Sequence, residues 1–422
     1  MTLESRFFEL LDHQLQPYTV SADRIVLAFS GGLDSCVLLH LLTNSQHDFK
    51  LLLWHVNHGL QDCAADMESF CIDLAGQYGI EIKVSHLNLG QKKSNVESIA
   101  RTARYAEFQS GLGARDILLT AHHADDQAET FFLNLFRRSG TAGLRGVARV
   151  KRLGEAQLIR PLLDIDRREL VQFADQHALK WFDDPSNLSD RYNRNYLRNQ
   201  VIPVIKERWP GFVQSIGSVC QIQVETQQLL DDIAGIDYKQ CSLESSGNSS
   251  RLNQTFLTTL STPRQKNVIR YWLRKNGHQS LPAGKLLELI KQLNARADAQ
   301  PIITGYDYDI RIYSSQLFIV VHQNKLALKP RYDLTAVSTI EIGSIAFSIS
   351  RADILQRFAL SDQGQSINIQ FRLEVQAGNP SGHRLKHLFQ KHHVPPWLRE
   401  QTPQIFIDDE LRGIYWNKSI EN

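Results

Sequence analysis

Cysteine is scarce in this chain: five residues in 422 (Cys36, Cys63, Cys71, Cys220 and Cys241), none of them in a CxxC pair. An odd, scattered set excludes a disulfide framework and a thiolate zinc site, so a reducing compartment is expected. No apolar run approaches the roughly 18 residues needed to cross a bilayer. The opening MTLESRFFELLDHQLQ mixes acids with bases and lacks the apolar centre of a signal peptide. These absences predict a soluble, cytoplasmic protein with no membrane role. A net charge is also missing, with 47 Lys and Arg against 45 Asp and Glu. Any nucleic-acid affinity must therefore come from local patches. What remains is ordinary globular composition, 42% hydrophobic and 22% charged, at a length suited to two or three domains. There are no internal repeats and no low-complexity tract.

The charge is unevenly placed along the chain. Residues 1–136 hold 9 Lys and Arg against 17 Asp and Glu, whereas residues 137–210 hold 15 against 9. In the acidic block, IVLAF (25–29), LLLWHV (51–56), IEIKVSHL (80–87) and DILLTA (116–121) read as short strands. Segments with apolar residues at helical spacing lie between them. Strand–helix alternation predicts an α/β fold, a Rossmann-like parallel sheet with ligands beyond the carboxyl ends of its strands. From about 215 to 300 the pattern is helical, and RIYSSQLFIVV (311–321) reads as two strands with a turn. Beyond a linker, IEIGSIAFSI and SINIQFRLEV alternate as strands, and SGHRLKHLFQKHHV reads as a basic helix. The expected organisation is a catalytic domain over 1–214, a mainly helical domain over 215–325 and a smaller α+β domain over 335–422.

The strongest chemical signal is the turn after the first strand, Ser30-Gly31-Gly32-Leu33-Asp34-Ser35, with a helix beginning at about Asp34. Glycines permit close backbone approach, and a helix start offers unpaired N–H groups and a positive dipole end. Such a turn favours a phosphate, with the Ser30 and Ser35 hydroxyls as further donors. Asp34 reads either as a helix cap or as a carboxylate that helps hold Mg²⁺. The Walker pattern GxxxxGK is absent, which excludes that class of nucleotide loop. A second constellation is Ala121-His122-His123-Ala124-Asp125-Asp126-Gln127-Ala128-Glu129-Thr130. Read as helix, it pairs His122 with Asp126 and Asp125 with Glu129 at i, i+4. Those carboxylates suit capping, metal ligation or proton handling. In NVESIARTARY (95–105), Glu97 and Arg101 form an i, i+4 pair on an amphipathic helix.

SGGxDS resembles the pyrophosphate loop of ATP pyrophosphatases. The ordered set of SGGxDS, HVNHGL (55–60), NxExxARxxRY, AHHxDDQxET, GxxGLxG (140–146), Arg160-Pro161-Leu162-Leu163, WxxDPSN (181–187), RNxxR (194–198) and HRLKHLFQKHHVPPWLR (383–399) resembles the tRNA(Ile)-lysidine synthase family over nearly the whole chain. The resemblance implies ATP and Mg²⁺ as cofactors, and free lysine and a tRNA(Ile) with a CAU anticodon as substrates; it allows a homodimer. It implies that Ser30 to Ser35 bind ATP and that Asp34, Asp125, Asp126 and Glu129 are the catalytic carboxylates, with Asp34 and Asp126 on the metal. It further implies that cytosine O2 of the wobble base is adenylated, pyrophosphate leaves, and the lysine ε-amine attacks C2.

The basic block then acquires an expected role. Arg137, Arg138, Arg145, Arg191, Arg194 and Arg198, with Arg384, Lys386, Lys391 and Arg399 in the tail, are expected on RNA phosphates. Trp181 and Phe182 read either as stacking platforms for a splayed base or as core. A thiolating relative would need paired cysteines, and a glutamine-fed ligase an amidotransferase part; neither is found in the sequence.

Overall fold

Hydrophobic patterning in the first half of the chain resolves into one sheet with both faces covered. The structure, a computed structural model, describes residues 2–15, 18, 22–45, 50–59, 63–87, 96–185, 189–190, 192–243, 251–293, 301–322, 331–334, 349–361, 364–371, 380–416 and 419–421. Two units divide the chain, Met1–Gln228 and Leu229–Asn422.

After α1 (Leu3–Glu9), the first unit runs β1 (Arg24–Ala28), α2 (Leu33–Thr43), β2 (Leu51–Asn57), α3 (Ala64–Tyr78), β3 (Glu81–His86), α4 (Val96–Gly111), β4 (Asp116–Leu119) and α5 (Ala124–Phe136). There follow α6 (Thr141–Leu144), a hairpin of β5 (Val150–Leu153) and β6 (Ala156–Ile159), and α7 (Arg167–Gln176). Next come α8 (Asn193–Tyr196), a π-helical turn over Leu197–Val201, α9 (Ile202–Arg208) and α10 (Phe212–Cys241), which runs past the division between units.

The sheet order is β3-β2-β1-β4-β6-β5, parallel except for the antiparallel edge strand β5. β1 shows why both faces are covered. Ile25 and Leu27 join one apolar cluster with α2, while Val26 faces Trp54, Phe108 and Leu118 on the other side. Alternating side chains on a doubly buried strand leave no polar position, which is why it reads as a continuous apolar run. In-register pairing aligns the carboxyl ends of β2, β1, β4 and β6. Strand order reverses between β1 and β4, the position at which open parallel sheets present their ligand crevice.

In the second unit, β8 (Arg251–Asn253), α11 (Gln254–Thr259), α12 (Thr262–Lys275) and α13 (Ala283–Gln292) precede β9 (Ile302–Thr304), β10 (Tyr308–Tyr313) and β11 (Gln316–Val321). With β7 (Ser242–Leu243) these strands form a sheet of order β7-β8-β11-β10-β9 around buried Trp272 and Tyr308. Ser314 and Ser315 both take positive φ, as a two-residue turn in a right-twisted hairpin requires. A further sheet joins β12 (Arg331–Asp333), β13 (Ile367–Gln370), β14 (Gln404–Ile407), β15 (Glu410–Trp416) and β16 (Ser419–Glu421), with helices α14 (Arg351–Arg357) and α15 (Pro380–Lys391). The strand expected from IEIGSIAFSI falls almost entirely outside the described residues. Among the described residues, no helix is long and apolar enough to cross a membrane.

α2 is packed on almost every side, with Val37, Leu38 and Leu39 wholly buried. Replacing Leu38 with Ala should therefore cost about 2–5 kcal/mol, because the cavity cannot collapse against the sheet. Urea denaturation checks this: the midpoint should fall while the slope stays unchanged.

Candidate active site

The candidate site forms beyond the aligned carboxyl ends of β1 and β4, with Arg194, Arg198 and Lys206 reaching it from later in the chain. β1 runs into Phe29, Ser30 and Gly31, and α2 starts at Leu33 with Gly32 as its N-cap. Gly31 has φ +76°, and a Cβ there would lie 2.8 Å from Cys71 Sγ and 3.2 Å from the Phe70 ring. Both the backbone conformation and the packing thus demand glycine. A glycine N-cap offers no side-chain acceptor, so the N–H groups of the first turn of α2 remain for a ligand. The Ser30 and Ser35 hydroxyls lie 3.2 Å apart, and Ser35 donates to the Gly32 carbonyl at 2.9 Å. The Phe182 N–H donates to the Gly31 carbonyl at 2.8 Å, clamping the turn from a distant part of the chain.

Opposite this turn stands the start of α5. The sequence reading placed His122 on the helix, four residues before Asp126. The helix instead begins at Ala124, so His122 lies in the connection from β4, 2.9 Å from Thr120 Oγ1 through its Nδ1. Burial pushes His122 down to about 3, which keeps it neutral near pH 7. His123, the N-cap, takes the central position instead. It is 1% exposed, and its Nε2 lies 3.6 Å from Asp34 Oδ2 and 3.7 Å from Asp126 Oδ2. Its Nδ1 lies 3.8 Å from Asp125 Oδ2.

The four candidate carboxylates have different surroundings. Glu129 is fully buried and held by Arg194 Nε and Arg198 Nε, each at 2.6 Å. Asp126 Oδ1 accepts from Arg194 at 2.8 Å and Arg198 at 3.1 Å, while Oδ2 accepts the His123 N–H at 3.0 Å. Burial alone would raise Asp126, but His123, Arg194, His122 and Arg198 together hold it well below the usual carboxylate range. Asp125 is ion-paired with Lys206 and accepts the Arg167 N–H at 3.0 Å, which outweighs the upward push of burial and lowers it too. Asp34 differs. Its Oδ1 is buried without a hydrogen-bond partner, and burial raises its pKa, with Asp126 adding to the rise and His123 opposing it.

Those contacts alter several expectations. Arg194 and Arg198, expected on RNA phosphates, are committed to Glu129 and Asp126, because buried carboxylates require cations. Asp126 and Glu129 are thus already hydrogen-bonded in the ligand-free protein, whereas Asp34 Oδ1 has no hydrogen-bond partner among the described residues. Arg191 lies outside the described residues, as does the side chain of Glu97, its expected pairing with Arg101 included. Arg137, Arg138 and Arg145 are exposed. In the second unit, α15 buries Leu385, Leu388 and Phe389 and exposes Arg384, Lys386 and Lys391. Arg399 is turned inward, donating to the Val394 carbonyl at 3.1 Å with its guanidinium 5.6 Å from the Phe389 ring centre. Trp181 packs against the core and donates to Asp183 at 2.9 Å.

An ionised, buried Asp34 is a cost to the ligand-free protein. A group whose folded-state pKa is raised favours folding most when protonated in both states, and loses that advantage as pH rises through the folded value. Asp34→Asn should therefore raise stability at pH 7. The gain should shrink as pH falls toward the folded pKa and vanish below about 3.8, the reference value. Urea midpoints at pH 7 and pH 3.5 check this, with a gain only at the higher pH expected.

Comparison with known proteins finds relatives along nearly the whole chain. Residues 2–205 match the model of the PP-loop domain, 252–318 that of the TilS substrate binding domain, and 368–414 that of the TilS substrate C-terminal domain. A tRNA(Ile)-lysidine synthase of Vibrio vulnificus is 34% identical over 444 aligned positions, covering 99% of this chain and 99% of its own. That of Coxiella burnetii is 33% identical over 404, covering 93% of this chain and 89% of its own. Among solved structures, the U34-tRNA thiolase of Methanococcus maripaludis aligns with 53% of this chain and 78% of its own, at 21% identity and a TM-score of 0.45. With end-to-end relatives above 30% identity and the three domain models in order, the chain belongs to the tRNA(Ile)-lysidine synthase family.

Proposed function

We propose that this protein is an ATP-dependent ligase that joins free lysine to C2 of the wobble cytidine in a tRNA(Ile) with a CAU anticodon. Cytosine O2 is first adenylated with loss of pyrophosphate; the lysine ε-amine then displaces AMP and leaves lysidine. The observation that carries this reading is the uncapped start of α2, whose first turn itself carries Asp34 with one buried oxygen left without a hydrogen-bond partner among the described residues. Adenylation requires the charge growing on pyrophosphate to be neutralised, and N–H groups fixed in advance do this without reorganisation. Asp34 fits Mg²⁺, which is commonly held by one or two carboxylates plus substrate phosphates. Mg²⁺ bound there would supply further positive charge against the leaving pyrophosphate.

The second step needs a neutral amine. Lysine's reference pKa of ~10.4 imposes a factor of about 10³ at pH 7, or roughly 4–5 kcal/mol. With Asp34 assigned to the metal and Asp125, Asp126 and Glu129 held by cations, His123, whose Nδ1 has no hydrogen-bond partner among the described residues, takes that proton in this reading. Asp126, Glu129, Arg194 and Arg198 serve as positioning residues that fix His123 and the first turn of α5. The exposed bases of α15, together with Arg137, Arg138 and Arg145, are the phosphate contacts in this reading.

Incubation with tRNA(Ile) transcript, ATP, Mg²⁺ and labelled lysine should place the label on the wobble nucleoside, read by mass analysis. Pyrophosphate release that proceeds with tRNA but yields no lysine-bearing nucleoside would contradict the assignment. Asp34→Ala should lower adenylate formation by about 10³-fold, the scale of losing one preorganised electrostatic element. Its tRNA dissociation constant should stay within about threefold, since affinity rests on the phosphate contacts.

A further inference from the structure

The second unit holds two sheets, each closed over its own apolar core, around Trp272 and Tyr308 in one and around Ile369 and Ile405 in the other. They meet at a seam of rings and guanidinium groups that the reaction as described does not use. Its centre is Trp397, in a 3-10 turn over Pro396–Gln401. Trp397 packs edge-on to Tyr313 and Phe318 of the β10–β11 hairpin, at 6.1 and 5.5 Å between ring centres. The Arg311 guanidinium lies 5.2 Å from the centre of the same indole. Arg399 reaches across the join, its Nη2 donating to the Tyr313 hydroxyl at 3.4 Å while its guanidinium lies over the Phe389 ring. On the other flank, Arg251 is 5.2 Å from the Phe318 ring centre and 5.9 Å from that of Trp416, at the end of β15. Ser314 Oγ, at the hairpin tip, is 3.3 Å from His393 Nδ1.

This turn is tied to α15. His393 ends the helix in the left-handed region, with φ +51°, and its N–H donates to the Gln390 carbonyl at 3.2 Å. The Val394 N–H donates to the Phe389 carbonyl at 2.8 Å, which completes a helix-terminating motif of fixed geometry. Pro395 and Pro396 restrict the path onward, and Arg399 Nε donates back to the Val394 carbonyl at 3.1 Å. The seat of Trp397 therefore sets the place of the exposed Arg384, Lys386 and Lys391 on α15. Yet Trp397 Nε1 and Arg311 Nε are both buried without a hydrogen-bond partner among the described residues. Buried donors left unpaired are costly, so a join built for stability alone would satisfy them. Keeping the ring there at that cost points to a positional task. We propose that Trp397 is a positioning residue for the RNA: it seats the C-terminal sheet and α15 on the β10–β11 hairpin, so that the α15 bases are in place before a tRNA arrives. This rests on the reading of those bases as phosphate contacts. Ordering the two sheets in advance removes that entropic cost from binding.

The test is the affinity of the full chain for tRNA(Ile) transcript, measured over a range of salt concentrations. Trp397→Ala should raise the dissociation constant by about tenfold, as expected if the seated form falls to about a tenth of the population. The slope of log Kd against log salt should stay at its wild-type value, because no phosphate contact is removed. Trp397→Phe keeps a ring in the seam and should bind within about threefold of wild type. If Trp397→Ala fails to fold, Arg399→Gln decides the matter: loss of its bridge to Tyr313 should weaken binding with the same unchanged slope. An affinity of Trp397→Ala within about threefold of wild type overturns the proposal. So does a slope reduced by about one, which would assign the seam itself to a phosphate. Binding by Trp397→Phe as weak as that of Trp397→Ala also overturns it, by moving the effect from the ring to the indole N–H. Failure of the α15 reading is distinguishable, because Lys386→Gln would then leave the salt slope unchanged instead of lowering it by about one.

Discussion

A carboxylate with no solvent exposure, Glu129, sits at the heart of this protein and is tolerated because two arginines reach it. Leaving such a group without its cations would cost several kcal/mol. The pairing ties the first turns of α5 to the α8 segment and its π-helical turn, and Asp126 shares the same two guanidinium groups. His123 is fixed by Asp126 from one side, and Asp34 is left with an oxygen that nothing among the described residues satisfies. The reactive part of the crevice thus follows from neutralising the non-reactive part.

The crevice consequently has two chemical halves. At one end, the uncapped start of α2 and Asp34 suit phosphate and a cation. At the other, the guanidinium groups of Arg101, Arg104 and Arg160 gather around Tyr105. His122, kept neutral by burial, lies between them and adds hydrogen-bonding capacity without adding charge.

Much of the first unit was legible in the sequence because its signals are local. The strands around 25–29, 51–56, 80–87 and 116–121 fall within a residue or two of β1 to β4, since doubly buried parallel strands are continuous apolar runs. Ser30 to Ser35 announced their turn through two glycines between a strand and a helix. What escaped depends on placement in space. The sequence reading set His122 and Asp126 on one helix, but the helix starts only at Ala124, so His122 lies before it and His123 caps it. The charge count around 137–210 located a basic block but could not tell which arginines were already paired, so Arg194 and Arg198 looked free for RNA. Lys206 as partner of Asp125 left no motif, its side chain arriving from α9. The hairpin β5–β6 and the strands β14 and β15 had no distinguishing glycine pair or long apolar run.

The bond from the Phe182 N–H to the Gly31 carbonyl bears on how the protein emerges from the ribosome. The Ser30–Ser35 turn is translated early, but its brace comes about 150 residues later, a delay on the order of ten seconds at elongation speeds of about 5–20 residues per second. During that interval the nascent turn is held by local contacts alone. The braced form of this turn is therefore acquired late in synthesis, when almost half of the polypeptide has been made.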